Sequence, residues 1–236
     1  MFYAHFQGIY TSLAHVNKFS FFCIKFYFVH FTQQYIQIKD IDIHLLNFSE
    51  FETSDYLDQL TDAEKERFYT FNSTQRKLEY VATRILRHRI FGFEHIHYDK
   101  NGAPFIEGEG YISISHTKNQ VGIAFSKKHA IGLDLEMIQG KAKKVCSKFL
   151  TSDELLSFDA NSELEMTKAW SAKEALYKLA GRKELNFKTD LHLEKVTESE
   201  WIGKISYASE EWFVELNTFV LENFVVSVNT SAKKKI

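Results

Sequence analysis

The chain has one proline, two cysteines (Cys23 and Cys146) and ten glycines in 236 residues. Two thiols cannot staple a small secreted domain and instead fit a reducing, cytoplasmic setting. With proline so scarce and no Pro/Gly/Ser-rich stretch present, no flexible linker divides the chain. Net charge is nearly absent as well: 29 Lys+Arg against 31 Asp+Glu leaves −2, which excludes a broadly basic nucleic-acid coat. No apolar run reaches the roughly 20 residues of a membrane-spanning helix; the most apolar stretch, Phe19 to Phe31, is broken by Lys25. The chain contains no His-Glu-x-x-His, Cys-x-x-Cys, glycine-rich phosphate loop or Gly-x-Ser-x-Gly. Zincin, zinc-finger, P-loop and serine-hydrolase chemistries therefore fall away.

What is present is ordinary for a packed protein, 44% hydrophobic and 25% charged, so global disorder is excluded. Phenylalanine is abundant and unevenly placed: eight of 22 lie in the first 31 residues, with no acidic residue before Asp40. That segment lacks the basic start and small-residue cleavage site of a signal peptide. We read residues 1–35 as an aromatic extension of unknown role, packed as a strand, loosely held, or preceding the native start.

From Ile36 the pattern is that of an α+β protein. Residues 36–45 alternate apolar and polar as a half-buried strand would. Thr61-Asp-Ala-Glu64 is a capping box, and a longer helix is expected from about Ser73 to Ile90 with Leu78, Val81, Ile85 and Leu86 on one face. Strands are expected over 111–115, 121–126 and 130–136. Thr151–Glu154 and Ser162–Glu165 are further capping boxes, the second opening a helix that Gly181 closes. Three more strands, 204–208, 212–216 and 224–229, precede a solvated Lys233-Lys-Lys235 tail. The order strand, helix, strands occurs twice, which allows two similar α/β halves, residues 36–128 and 129–236.

Three clusters could carry chemistry. In Gly132-Leu-Asp134-Leu-Glu136, strand periodicity puts both carboxylates on one face. They read either as a solvated acidic face or as ligands of a cation, oxygen donors suiting Mg²⁺ or Mn²⁺. In Trp170-Ser-Ala-Lys173-Glu174-Ala-Leu-Tyr-Lys178, helical periodicity aligns Trp170, Glu174 and Lys178. Glu174 and Lys178 there are either a surface ion pair or a functional stripe. In Ser113-Ile-Ser115-His116, a histidine at a strand end could meet a phosphate or be structural.

Taken in order, Ser-His after a strand, then Gly-x-Asp-x-Glu, then Trp-x-x-Lys-Glu-x-x-x-Lys resemble the 4′-phosphopantetheinyl transferase superfamily. The similarity is to its long, pseudo-dimeric type and runs from about Ile36 to Asn229. Glu64-Lys-Glu-Arg67 and the helix with Arg76, Arg84 and Arg87 also look like the family's N-terminal half. Asn101-Gly102-Ala103-Pro104 stands where the family shows Gly-Lys-Pro, so Ala103 replaces an expected phosphate-contacting lysine.

The resemblance implies two halves related by a pseudo-twofold, each an antiparallel sheet with a long helix, and an active site at their interface. It implies transfer of 4′-phosphopantetheine from coenzyme A to a serine of an apo acyl or peptidyl carrier protein, releasing adenosine 3′,5′-bisphosphate. Asp134, Glu136 and Glu174 would hold Mg²⁺ (or Mn²⁺), and Glu174 would take the serine proton. Lys178 would meet the departing phosphate, with Lys173 adding charge. Ser115, His116, Arg67 and Arg76 would bind the 3′-phosphate of coenzyme A. A monomer is expected, because one chain carries both halves, with no nucleic-acid or membrane partner. An inactive coenzyme A- or carrier-binding protein, or a Mg²⁺-dependent nucleotide phosphohydrolase, are the competing readings. Phe149, Leu150 and Leu155, within Val145–Phe158, either receive a carrier helix or pack as core.

Overall fold

The isoleucines of the first alternating segment change phase: Ile36 and Ile38 fall on even positions, Ile41 and Ile43 on odd ones. A single strand cannot keep all four on one face. The computed structural model, which describes residues 8–16, 19–27, 30–181 and 184–235 and gives only the backbone before His30, resolves this as a hairpin. Strand β3 (Phe31–Ile38) turns at Lys39, whose φ is 54°, into β4 (Ile41–Phe48). The expected single strand over 36–45 is thus two. Before it, β1 (Gly8–Val16) and β2 (Phe19–Tyr27) form an antiparallel pair, and β2 pairs with β3. Residues 8–16 and 19–27 of the extension therefore join the sheet as strands, and the first regular strand with described side chains begins at Phe31 rather than Ile36.

The capping boxes predict the helices well. Thr61 and Glu64 close a reciprocal box on α1 (Asp62–Tyr69), and α2 (Thr74–Phe91) follows behind Ser73. Next come β5 (His97–Tyr98), β6 (Pro104–Phe105), β7 (Tyr111–Thr117) and β8 (Gln120–Ser126). The lone proline opens β6, after a turn in which Asp99 accepts from the Asn101 and Ala103 backbone N–H groups. The second half begins with β9 (Leu133–Met137), then α3 (Lys141–Phe149) and α4 (Ser152–Ser157), the latter capped by the box Thr151–Glu154. Helix α5 (Glu163–Leu179) is capped by Ser162 in one direction only and ends before Gly181 at φ 81°. Strands β10 (Leu191–Lys195), β11 (Glu200–Tyr207), β12 (Glu210–Leu221) and β13 (Phe224–Asn229) complete it. Two residues of the lysine tail, β14 (Lys234–Lys235), pair with β12.

Strand order repeats between the halves. The first sheet reads β1-β2-β3-β4-β8-β7-β6-β5 and the second β10-β11-β12-β13-β9. In each, the strand before the capped helix pairs with the last strand of its half, and the others follow backwards. The layers are α2, first sheet, second sheet, α5. Val81, Ile85 and Leu86 of α2 pack on Leu46, Phe48 and Ile123. Ile36, Ile41, Ile43 and Leu45 meet Leu133, Leu135, Phe224 and Val226 between the sheets, and Met166, Ala172 and Leu176 of α5 cover Trp201 and Leu216. Burying large aliphatic and aromatic side chains stabilises each layer by about 1.5–3 kcal/mol per residue. Among the described residues no helix is long and apolar enough to cross a membrane.

One polar group within this frame carries a pH consequence. His44 of β4 has its Nδ1 buried without a hydrogen-bond partner, and burial lowers its pKa to about 4, with Asp42 pulling the other way. As pH falls, the unfolded chain takes this proton first. Stability is therefore full above about pH 6.5 and is lost as pH falls toward about 4, by about 3 kcal/mol. Urea unfolding at pH 7.5 and 4.5 should show His44→Gln losing less on acidification than the parent; equal losses would contradict the assignment.

Candidate functional site

β9 is an edge strand, paired only with β13, and its outer edge faces β7 of the other half. The two are not joined by a backbone ladder. Ser113 and Ser115 alternate on β7, and their hydroxyls accept the Leu133 and Leu135 backbone N–H groups at 2.9 and 3.1 Å. Gly132, just before β9, lets helix α5 close on the strand: a Cβ there would lie 2.0 Å from the Ala175 carbonyl oxygen. This is a packing glycine. Its effect is to bring the last turn of α5 onto β9.

The charged groups meet at that crossing. The Lys178 ammonium donates to Asp134 Oδ1 at 2.8 Å, to the Leu133 carbonyl at 2.9 Å and to Ser115 Oγ at 3.0 Å. Ser115 in turn donates to Asp134 Oδ1 at 3.1 Å. Asp134 is 4% exposed, and its Oδ2 is buried with no hydrogen-bond partner. Two residues on, Glu136 accepts the Trp170 indole N–H at 3.0 Å. Burial, and then the charge of Asp134, raise the Glu136 pKa, while the indole bond opposes them. Phe149 and Phe187 hold the Trp170 ring, with centroids 5.1 and 5.3 Å away. Glu174 is half-buried on α5, one turn before Lys178. The two-apart carboxylates and the helical stripe thus lie at one junction.

A divalent ion fits this donor set. Asp134 offers an orphaned oxygen, and Glu136 resists carrying its charge without a counter-ion. Among the described residues no three Asp, Glu, His or Cys side chains form a ready cage. Mg²⁺ asks for none, since it keeps waters and takes one or two carboxylates together with substrate phosphates.

A second cluster gathers at the end of β7. Arg76 Nη1 donates to His116 Nε2 at 2.7 Å, and Glu79 Oε2 lies 3.3 Å from Arg76 and 3.5 Å from His116 Nδ1. The His116 side chain is 42% exposed, yet loss of water on its protein-facing side is the largest influence lowering its pKa, with Glu79 opposing and Arg76 also lowering it. Neutral His116 then accepts from arginine through Nε2 and carries its proton on Nδ1, toward Glu79. Glu79 was not marked as a site residue in the sequence; its i, i+3 spacing from Arg76 was the available signal. Arg67, at the end of α1, lies over the Tyr98 ring at 4.8 Å.

One expectation is corrected, and one alternative left open is decided. Lys173 is fully buried, and its three N–H donors go to Glu154 and to the Phe149 and Phe187 carbonyls. Burial lowers its pKa and Glu154 opposes that. With no exposed surface it cannot reach a phosphate, whereas the Lys178 side chain keeps 14% of its surface open; Lys173 stands to Glu154 as Arg84 and Arg87 stand to Glu64. Phe149 and Leu150, 2% and 0% exposed, are core, and Leu155 packs against them. What lies open nearby is a cleft of about 470 Å³ beside Glu136 and Trp170, walled by Lys141, Lys144 and Val145 of α3.

A comparison with curated proteins gives no match. Residues 130–228 match a family model described as the 4′-phosphopantetheinyl transferase superfamily. The span takes in β9, α5 and the second sheet, and leaves Ser115, His116, Arg67 and Arg76 outside it. The domain that supplies Asp134, Glu136, Glu174 and Lys178 is thus the part of the chain that is similar to the 4′-phosphopantetheinyl transferase superfamily.

Proposed function

We propose that this chain transfers 4′-phosphopantetheine from coenzyme A to a serine hydroxyl of an apo carrier protein, leaving adenosine 3′,5′-bisphosphate. The observation that carries the reading is the junction of β7, β9 and α5. There one ammonium and two carboxylates are fixed where the halves meet, within a chain whose second half matches the superfamily. The repeated strand order supports the long, two-halved form of the family, with the pseudo-twofold relating the halves and one chain sufficient for one site.

The reaction sets a polyanionic pyrophosphate against a neutral hydroxyl, so charge neutralisation and positioning dominate. Asp134 and Glu136 would hold Mg²⁺, with Glu174 from α5 reaching it through water, and the ion would supply Lewis acidity and orientation to the pyrophosphate when bound. Glu174 accepts the proton of the attacking serine. Lys178 would stabilise or protonate the departing phosphate of the leaving nucleotide. Arg76 and His116 offer a fork and an imidazole to the 3′-phosphate, with Arg67 assigned the same task on weaker geometry. Ala103 contributes no charge, so these groups carry the contact alone. The lysines of α3 border the cleft next to Glu136, which favours an acidic carrier approaching from that side.

Mass spectrometry of an apo carrier protein incubated with this chain, coenzyme A and Mg²⁺ tests the reading. A gain of one phosphopantetheine is the expected result. Release of adenosine 3′,5′-bisphosphate with no mass gain on any carrier would assign hydrolysis, and neither product would assign a binding protein.

A further inference from the structure

Ser115 does more than close an edge. A hydroxyl offers one donor and two acceptor positions, and all three are engaged here. Ser115 Oγ donates to Asp134 Oδ1 at 3.1 Å, accepts from the Leu135 N–H at 3.1 Å and accepts from Lys178 Nζ at 3.0 Å. The residue is 4% exposed. Its neighbour His116 is exposed and turned toward Arg76 and Glu79, so the strand directs the two side chains to different surroundings, as strand alternation requires. We propose that Ser115 is a positioning residue, acting through Asp134 and Lys178, and that its hydroxyl does not touch the 3′-phosphate of coenzyme A. Among the described residues it is the one side chain of the first half that bonds both groups, so it transmits the placement of the first sheet to the ammonium and leaves Asp134 Oδ2 as the unpartnered oxygen. Ser113 provides the contrast: its hydroxyl meets the Leu133 N–H and no charged group of the junction.

The kinetic arm of the test rests on the transferase reading. Initial rates are measured for the parent, Ser115→Ala, Ser115→Thr and Ser113→Ala with coenzyme A and with dephospho-coenzyme A, which lacks the 3′-phosphate. Ser115→Ala should lower kcat about tenfold or more with KM for coenzyme A within twofold, and by the same factor with dephospho-coenzyme A. Ser115→Thr, keeping the hydroxyl on a strand-compatible side chain, should recover most of the rate. Ser113→Ala should lower the melting temperature and leave kcat near the parent's. A KM rise for coenzyme A that vanishes with dephospho-coenzyme A would place Ser115 on the phosphate and overturn the proposal. So would a kcat loss in Ser113→Ala as large as in Ser115→Ala, since that would be general loosening between the halves.

A second arm needs no turnover. Lys178 is acylated with an amine-reactive ester and its peptide is quantified by mass spectrometry. Ser115→Ala removes one of three acceptors and should raise labelling several-fold. Unchanged labelling in a folded Ser115→Ala protein would overturn the proposal even if the parent transfers nothing, whereas raised labelling without transfer would count against the transferase reading alone.

Discussion

Lys178→Ala is expected to lower the phosphopantetheine transfer rate by about 10²–10⁴-fold, the range for losing a positioned proton donor or a charge aimed at the transition state. Binding of coenzyme A, followed by calorimetry, should change little, because Arg76 and His116 lie in a separate cluster at the end of β7. The variant also leaves Asp134 buried without the ammonium at 2.8 Å, so some loss of melting temperature accompanies the loss of rate. Lys178→Arg separates the two effects: a planar fork retains charge next to Asp134 but cannot meet a carbonyl, a hydroxyl and a carboxylate in the arrangement an ammonium reaches. It should restore stability more than rate. Glu174→Gln keeps shape and removes the proton acceptor, and should lose rate on a similar scale. An unchanged rate in either Lys178→Ala or Glu174→Gln would remove that residue from the mechanism. Asp134→Ala should blunt the response to Mg²⁺, and full retention of that response would exclude Asp134 as a ligand.

The stripe Trp170, Glu174, Lys178 and the pair Asp134, Glu136 were legible because helix and strand periodicities decide which residues share a face. Lys173 was misplaced although the same geometry held the answer. One residue before Glu174 is a rotation of about 100° around the helix, which carries the side chain from the site toward the core. The hairpin at Lys39 was legible in principle from the phase change of the isoleucines. Ser115 could be seen as part of a motif, but its partners lie 19, 20 and 63 residues away. No local pattern reports a contact made only when two sheets stack. Glu79 shows both sides of this: its spacing from Arg76 was readable, and its approach to His116, contributed by β7, was not.

The capping boxes show how far a local motif can understate a residue, and they set the largest expected stability effect. Glu64 looks like an exposed N-terminal carboxylate, yet it is 1% exposed. It meets Arg84 at 3.2 Å and Arg87 at 2.8 Å while still accepting the Thr61 N–H at 3.1 Å. Arg87 continues to the Gly92 and Gln59 carbonyls, and Arg84 stacks on Tyr80 at 3.8 Å. Glu64→Gln preserves volume but leaves two buried guanidinium groups facing a neutral amide. Breaking such a network costs about 3–5 kcal/mol, or about 6–20 °C in Tm for a chain of this size. Glu198→Gln, which loses a surface partner of Lys195, should cost at most about 1 kcal/mol. The second half repeats the device with Glu154, whose partner is Lys173 at 2.9 Å and which also accepts the Leu193 N–H at 2.9 Å. Lys173→Met should therefore destabilise on the scale of Glu64→Gln while leaving KM for coenzyme A unchanged in the folded fraction. A raised KM with unchanged stability would return Lys173 to the phosphate. A Tm for Glu64→Gln within a few degrees of the parent would mean that the arginines find other partners, and that the first half does not depend on its buried carboxylate.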